Sequence, residues 1–376
     1  MKALILSGGK PDSTYPLNGN FEFEQAAALA AAGIDVYFFA VDLRSIRRKR
    51  AYGISKGEED GVKWYIISLP LGAIPTLILC KIGSIALCYL FGKVFKKNSE
   101  YPDVIHAHFT EMGCIAADLS KKKNIPLVVT EHSSAMNKPT VDSDLLKCAI
   151  KGYSQASKVI AVSKPLAKSI YSKTGIQSVV IPNMIKLDVF TKCRKKEHDG
   201  FHIASVGALI HRKRFTKLIG AVADVSKIHN DIYLHIIGDG YMREELKQLV
   251  TNLRIENRVI FHGYKNAYEI TKIYETCDCF ALVSASETFG VVYVEAMAAG
   301  LPVIATRCGG PEDFVNERNG VLIDIDKEEQ LTNAMLEFVD GKRKYSPYYI
   351  RRYAQENFGP DKLVESLNNL YHEIKA

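Results

Sequence analysis

Short β-branched runs alternate with longer helical patterns along most of the chain, and that alternation is what most narrows the fold. In the first half the runs are KALILS, DVYFFA, DVIHAH, PLVVTEH and KVIAVS. In the second they are HIASVG, YLHIIG, RVIFHG, CFALVS, PVIAT and GVLIDI. Continuous apolar strands separated by helices imply parallel sheets covered on both faces, because a parallel strand is reached only by a crossover. The pattern pauses over residues 181–200, IPNMIKLDVFTKCRKKEHDG, which is charged and lacks clear periodicity, and restarts with a strand running into glycine. The chain therefore reads as two α/β domains, residues 1–185 and 201–360, joined by a linker over 183–200. With 376 residues, 47% of them hydrophobic, each half has material for its own core. Ligands in such sheets bind beyond the carboxyl ends of the strands, so a cleft between the two domains is the expected site.

Composition removes several classes of function. Lysine and arginine total 49 against 42 acidic residues, a net of +7 concentrated in RSIRRKR (44–50), Lys121–Lys123, Arg194–Lys196 and Arg212–Arg214. That excess suits phosphate esters or an acidic lipid surface, although most such clusters are plain solvated loops. No zinc finger, RNP box or recognition-helix pattern accompanies it, so nucleic acid is not an expected partner. The eight cysteines form no regular framework and no CxxC pair. They read as small core residues in a reducing compartment, with no metal site expected. The opening MKALILSGG is too short an apolar run for a signal peptide and lacks a cleavage site, which points to a cytoplasmic protein.

One segment stands apart. Residues 74–95, IPTLILCKIGSIALCYLFGKVF, are apolar over nearly transmembrane length. Lys81, Ser84, Cys88, Gly92 and Lys96 recur at helical spacing and form a narrow, less apolar stripe. A true span would put the DVIHAH strand across a membrane from its sheet partners. The expectation is an interfacial helix or an acceptor-side apolar patch over 74–96, beside basic clusters that favour anionic headgroups; a plain core helix is the alternative.

The second half carries four ligand-suited loops at one sheet edge. SVGALIHRKRF places Arg212, Lys213 and Arg214 after the strand ending at Gly207, well placed to neutralise a phosphate. IIGDGYMREEL puts Gly238 and Gly240 in a turn at another strand end. In ETFGVVYVEAMAAGLP, Glu287 lies just before a helix opened by Gly290, Glu295 sits one to two turns inside it, and Gly300 with Pro302 ends it. Paired carboxylates suggest acid/base chemistry on a sugar, but these two do not flank a bond; they border an anion-binding helix start. CGGPED supplies a further glycine turn.

The E-x7-E spacing, with VGALIHRKRF, GDG, GLPVIAT and CGGPED around it, resembles the retaining GT-B glycosyltransferases of family 4, over nearly the whole chain. The resemblance implies two facing Rossmann-like domains with parallel sheets and an interdomain cleft, and a C-terminal helix near 361–376 packing back on the first domain. It implies a nucleotide-sugar donor held by the second domain, no cofactor and no metal. Glu287 is similar to the glutamate that contacts donor-sugar hydroxyls, Glu295 to the one that binds the ribose, and Phe289, Gly290 and Val291 to the backbone near the diphosphate. Lys213 matches the lysine that stabilises the departing phosphate. Where the family usually has arginine after the strand glycine this chain has Ala208, and Arg212 is the candidate to supply that charge. In the first half, Gly19 remains of a glycine pair that approaches the diphosphate, with Asn20 replacing the other, and His132 looks like the histidine facing the donor sugar. His108 is a further candidate for the cleft wall. The implied reaction is same-face transfer of the sugar to an acceptor hydroxyl, with the leaving phosphate helping to deprotonate it; the apolar 74–96 segment and the basic patches suggest a glycan or a polyprenyl- or lipid-linked acceptor, as in cell-surface polysaccharide or glycolipid synthesis. A sugar-nucleotide 2-epimerase and a non-catalytic sugar-nucleotide-binding partner are the competing readings.

Overall fold

The computed structural model describes residues 1–72 and 74–375, which divide into two compact units, Met1–Pro182 with Leu363–Ala376, and Asn183–Lys362. Unit 1 is built on β1 (Lys2–Ser7), β2 (Asp35–Asp42), β3 (Gly53–Glu59), β4 (Val62–Ser68), β5 (Val104–His108), β6 (Leu127–Glu131), β7 (Lys158–Ala161) and β8 (Val179–Val180). They form one sheet in the order β3-β4-β2-β1-β5-β6-β7-β8, parallel except for the β3–β4 pair. Its helices are α1 (Asn20–Ala31), α2 (Thr76–Val94), α3 (Thr110–Lys123), α4 (Ser143–Gln155) and α5 (Lys164–Thr174). β1 and β5–β7 are almost wholly buried, as continuous apolar strands between helical layers must be. The helix ends follow local rules: Asp142 caps α4 by accepting from the Asp144 and Leu145 amides, and Ser163 opens α5 while Gly175 closes it at φ 70°.

Unit 2 begins with α6 (Leu187–Phe190), inside the segment expected to be a linker. Phe190 and Cys193 are buried, Lys196 pairs with Glu275 at 2.6 Å and Lys195 with Asp278 at 2.8 Å, so residues 183–200 are part of this unit's body. The apolar residues are too widely spaced there to show a period, and the lysines that looked like linker charge are its anchors. The sheet contains β9 (Phe201–Val206), β10 (Ile232–Ile237), β11 (Val259–Gly263), β12 (Cys279–Leu282), β13 (Val303–Thr306) and β14 (Gly320–Ile323), all parallel in the order β11-β10-β9-β12-β13-β14. The helices are α7 (Phe215–Ser226), α8 (Arg243–Asn252), α9 (Ala267–Tyr274), α10 (Val291–Ala298), α11 (Glu328–Val339) and α12 (Pro347–Phe358). α13 (Pro360–Lys375) follows and lies mostly in unit 1, where Tyr371 Oη is 2.6 Å from His106 Nδ1.

Three features differ from expectation. The β3–β4 hairpin extends the first sheet although every residue of β3 is exposed; its two-residue turn uses Asp60 at φ 51° and Gly61 at φ 74°. On α2, the less apolar residues do not share one exposed stripe. Ser84 is buried and donates to the Ile115 carbonyl at 3.0 Å, while the outward face carries Ile78, Lys81, Ile85, Tyr89 and Lys93, with Ile85 72% exposed. Small residues let the helices approach closely: a Cβ on Gly83 would lie 2.5 Å from Ile115 Cδ1. By length and composition α2 could cross a membrane, and it packs here along α3 and α4. Lastly, RSIRRKR is partly structural, since Arg44 and Arg50 clamp the buried Asp42 carboxylate at 2.8 and 2.7 Å, leaving Arg47, Arg48 and Lys49 as its exposed charges.

Candidate active site

In unit 2 the predicted loops assemble around one carboxylate. Glu287, almost fully buried, receives Lys213 Nζ on Oε1 at 2.5 Å and the Ser284 hydroxyl on the same oxygen at 2.6 Å. Arg212 stands beside them, its Nη1 3.7 Å from Glu287 Oε2 and donating to the Ser286 carbonyl at 2.8 Å. Arg212 therefore delivers its charge to this point from four residues beyond Ala208. Arg214, the third cation of the cluster, turns away: at φ 55° it starts α7 and binds the Ile325 carbonyl and Asp326. Two cations meeting a single carboxylate leave the ensemble net positive, the charge state an anionic ligand needs.

Three residues on, Gly290 opens α10 at φ 94° with no side chain capping the helix. A Cβ there would meet the Tyr293 ring at 2.8 Å, and Tyr293 is pinned by its hydroxyl to the Leu282 carbonyl at 2.8 Å. Glycine is thus required for the helix to start beside β12, and the start presents backbone N–H groups suited to an anion. Val291 is the first helical residue, Glu295 lies half-buried in the second turn, and Gly300 ends the helix at φ 90°. The Phe289 side chain is buried against Phe314 and Phe358, so only its backbone serves the loop.

The glycine turns have an internal purpose that spacing alone does not reveal. Gly238 is at φ 139° and a Cβ on it would lie 2.0 Å from the Gly207 carbonyl oxygen. The loop after β10 is thereby pressed onto the loop after β9, which it also holds through Leu209 N–H to Asp239 O at 2.9 Å. Gly310 likewise lies under the Phe289 backbone, and its amide donates to the Glu287 carbonyl at 3.0 Å. Gly207 differs: the nearest atoms to a Cβ there are 3.7 Å away, on Lys213 and Phe215, so nothing within unit 2 demands a glycine.

Unit 1 has a polar cluster of its own. His132 follows β6, half-buried, with Nε2 3.0 Å from His108 Nδ1. Gln25 Nε2 stands 3.3 Å from His108 Nε2. With the Gln25 amide donating, His108 carries its proton on Nδ1 and donates to His132 Nε2, which assigns the His132 proton to Nδ1. Burial, with the neighbouring His106 and His132, holds His108 well below the usual imidazole range, so it stays neutral. The strand end itself is fixed by Glu131, fully buried, which accepts from Thr110, from Tyr153 Oη at 2.5 Å and from the Ser133 amide at 2.5 Å. Burial raises the Glu131 pKa. Phe109, at φ 73° without being glycine, packs against the His132 ring at 5.1 Å. Nothing in the spacing announced Gln25, Glu131 or Phe109. Gly19 is present as the αL residue before α1, and its Cβ position is filled by the Gly9 carbonyl at 2.1 Å. The Asn20 amide is engaged within the helix, donating to Glu24 at 2.6 Å, so its side chain is committed to α1.

Comparison with known proteins matches this arrangement. The family described as glycosyl transferases group 1 matches residues 190–356, and glycosyltransferase family 4 matches residues 21–189. The chain is 25% identical to the putative teichuronic acid biosynthesis glycosyltransferase TuaC of Bacillus subtilis, over all of this chain and 99% of that one. It is 26% identical to the alpha-monoglucosyldiacylglycerol synthase of Streptococcus pneumoniae over 57% of this chain and 54% of that one. Among solved structures, the lipopolysaccharide outer core galactosyltransferase WaaB superposes with a TM-score of 0.74 at 20% identity over 99% of both chains. Anabaena HepE in complex with UDP superposes with a TM-score of 0.75 at 23% identity over 99% of this chain and all of that one. With two parallel-sheet units, a basic loop meeting Glu287 before a glycine-opened helix, and both halves matched, the chain belongs to the family 4 glycosyltransferases of GT-B fold.

Proposed function

We propose that the protein transfers a sugar, with retention of configuration, from a nucleotide-sugar donor to a hydroxyl of a glycan or lipid-linked acceptor in cell-surface polysaccharide or glycolipid synthesis. The observation that carries this reading is the meeting of Lys213 and Arg212 at Glu287, immediately before the uncapped start of α10. Breaking the bond between an anomeric carbon and a nucleoside diphosphate leaves negative charge on the departing phosphate. Lys213, Arg212 and the Gly290–Val291 backbone stabilise that charge as it develops, which is where most of the rate originates. Gly207, for which the fold has no need, gives the diphosphate close approach to the backbone. Glu287 holds donor-sugar hydroxyls as well as Lys213, Glu295 holds the ribose, and His132, oriented by His108, faces the sugar. No enzyme nucleophile takes part, and no metal or cofactor has a role in this step.

The names of TuaC and of the glucosyldiacylglycerol synthase favour an acceptor of the cell envelope. The outward face of α2 supports a lipid surface at the cytoplasmic side of the membrane: Ile85 and Tyr89 are exposed between Lys81 and Lys93, an apolar strip with flanking cations. Co-sedimentation with anionic vesicles is expected to be lost when Ile85 and Tyr89 are both replaced by glutamate; binding that survives this change removes α2 from the membrane contact.

Donor binding is tested by thermal shift with UDP-, GDP- and ADP-sugars. A ligand at about 100 times its Kd stabilises by about 2.7 kcal/mol, a readily measured rise in Tm. One nucleotide class is expected to produce it, and Glu295→Ala to weaken that class at least about 10-fold through loss of a charged hydrogen bond to ribose. No shift with any class, or an unchanged affinity in Glu295→Ala, contradicts the assignment.

A further inference from the structure

Three cysteines that sugar transfer does not use meet inside unit 1. Cys80 on α2, Cys114 on α3 and Cys148 on α4 are all buried, and none is in a disulfide. Their sulfurs lie within 4.8 Å of one another, with Cys148 Sγ 3.5 Å from Cys80 Sγ. Three sulfurs bound at about 2.3 Å to a common centre stand about 3.8 Å apart in a tetrahedral site and about 4.0 Å apart in a trigonal one. The side chains are therefore held close to ligand–ligand spacing before any ion arrives. No CxxC spacing forecast this, because the sulfurs come from three helices and only their packing unites them.

The helices that carry the sulfurs cannot easily shift. A Cβ on Gly152 would lie 2.7 Å from the Gly113 carbonyl carbon, so α4 touches the α3 backbone next to Cys114. Gly83, three residues after Cys80, lies as close to Ile115. A site on interlocked helices keeps its geometry better than one on loops. The cluster contains sulfur donors alone, with neither an imidazole nor a carboxylate among the described residues in the same group. All-thiolate sets select soft ions over magnesium or calcium, which require oxygen. Structural zinc takes four ligands and the cluster offers three, which favours an ion content with three sulfurs. Lys151, one turn beyond Cys148 and paired with Asp118 at 2.8 Å, lies within electrostatic reach of Cys80 and Cys114 and offsets part of the thiolate charge.

We propose that Cys80, Cys114 and Cys148 form a three-thiolate site for a soft thiophilic cation, with monovalent copper as the ion that fits the set best. On binding, each thiol gives its proton to solvent and forms one metal–sulfur bond; no electron is transferred. The bound ion ties α2 to α3 and α4, so its effect is to fix the helix whose outer face carries Ile85 and Tyr89. The site is separate from the donor-binding residues and stands or falls without them.

The test uses the full-length, reduced protein under anaerobic conditions, titrated with Cu(I) against a competing chelator and, in parallel, with Cd(II) as a spectroscopic probe. A sulfur-to-metal charge-transfer band is expected to saturate at one equivalent, and Cu(I) to slow alkylation of three thiols relative to the metal-free wild-type chain when both are opened by the same denaturant. Loss of a residue that merely orients a ligand costs 10–100-fold in metal affinity, so loss of a direct ligand in Cys148→Ser is expected to cost more than about 100-fold. Cys88→Ser, on α2 but outside the cluster, leaves affinity unchanged. Absence of the band, unprotected thiols, or an unaltered band in Cys148→Ser overturns the proposal. If Cys148→Ser does not fold, alkylation of the wild-type chain with and without Cu(I), in denaturant sufficient to open the buried cysteines, followed by peptide mapping still decides it, since Cu(I) must slow the reaction of Cys80, Cys114 and Cys148 and leave the other cysteines, buried as most of them are, reacting alike in both samples.

Discussion

Lys213→Ala is expected to lower kcat for sugar transfer by about 10³-fold while leaving donor affinity within a few-fold of wild type. A preorganised cation aimed at developing phosphate charge is worth on the order of 10²–10⁵ in rate, and little of that is felt in the ground state. The structure says why the fold should survive. Glu287 loses its 2.5 Å partner but keeps the Ser284 hydroxyl at 2.6 Å and has Arg212 3.7 Å away, close enough to move in. A stability loss of about 1–3 kcal/mol follows from weakening one buried, charge-assisted contact. Steady-state kinetics, with donor affinity measured separately, check it. Near-normal turnover by the purified variant would show that the charge meeting at Glu287 has a structural role only.

Gly238→Ala is expected to damage stability and catalysis together. The residue sits at φ 139°, where an L side chain is strained, and the added Cβ would lie 2.0 Å from the Gly207 carbonyl oxygen. Relief requires the loop carrying Arg212 and Lys213 to move away from β10. Backbone strain and displaced hydrogen bonds of this kind cost about 3 kcal/mol or more, and misplacing a catalytic group by about 1 Å costs about 10²-fold in rate. Gly220→Ala is the matched control: it lies within α7, no atom falls within 4 Å of its Cβ position, and helix propensity favours alanine by about 1 kcal/mol. Denaturant unfolding and kcat are expected to fall for Gly238→Ala and to stay level or improve for Gly220→Ala. Equal behaviour of the two variants would mean that the β9 and β10 loops do not depend on each other.

The buried strands and the donor-side loops were legible because their signals are local, whereas the order of the strands in each sheet was not read from the sequence. A buried parallel strand is a continuous apolar run, and a glycine before a helix declares itself where the chain turns. The β3–β4 hairpin escaped because β3, GISKGEE, buries nothing and shows no apolar face, although its Asp60-Gly61 turn was in plain view. Periodicity revealed that α2 has faces but not which one packs, so Ser84 was assigned to a polar stripe when it binds α3. The Lys213–Glu287 pair spans 74 positions and the Gln25–His108 contact 83, distances over which only the folded topology decides who meets whom. The same holds for Glu131, whose burial among Thr110, Tyr153 and the Ser133 amide makes it the anchor of the His132 loop.

The central claim, transfer with retention by a site lacking an enzyme nucleophile, is tested most directly by the stereochemistry of the product. The protein is incubated with the nucleotide sugar that stabilises it and with lipid-linked acceptor extracted from membranes, and the new linkage is read by NMR. The expected result is a product with the donor's anomeric configuration, formed only when acceptor is present and lost in Lys213→Ala. An inverted linkage, or conversion of the donor to an epimer without acceptor, would contradict the account.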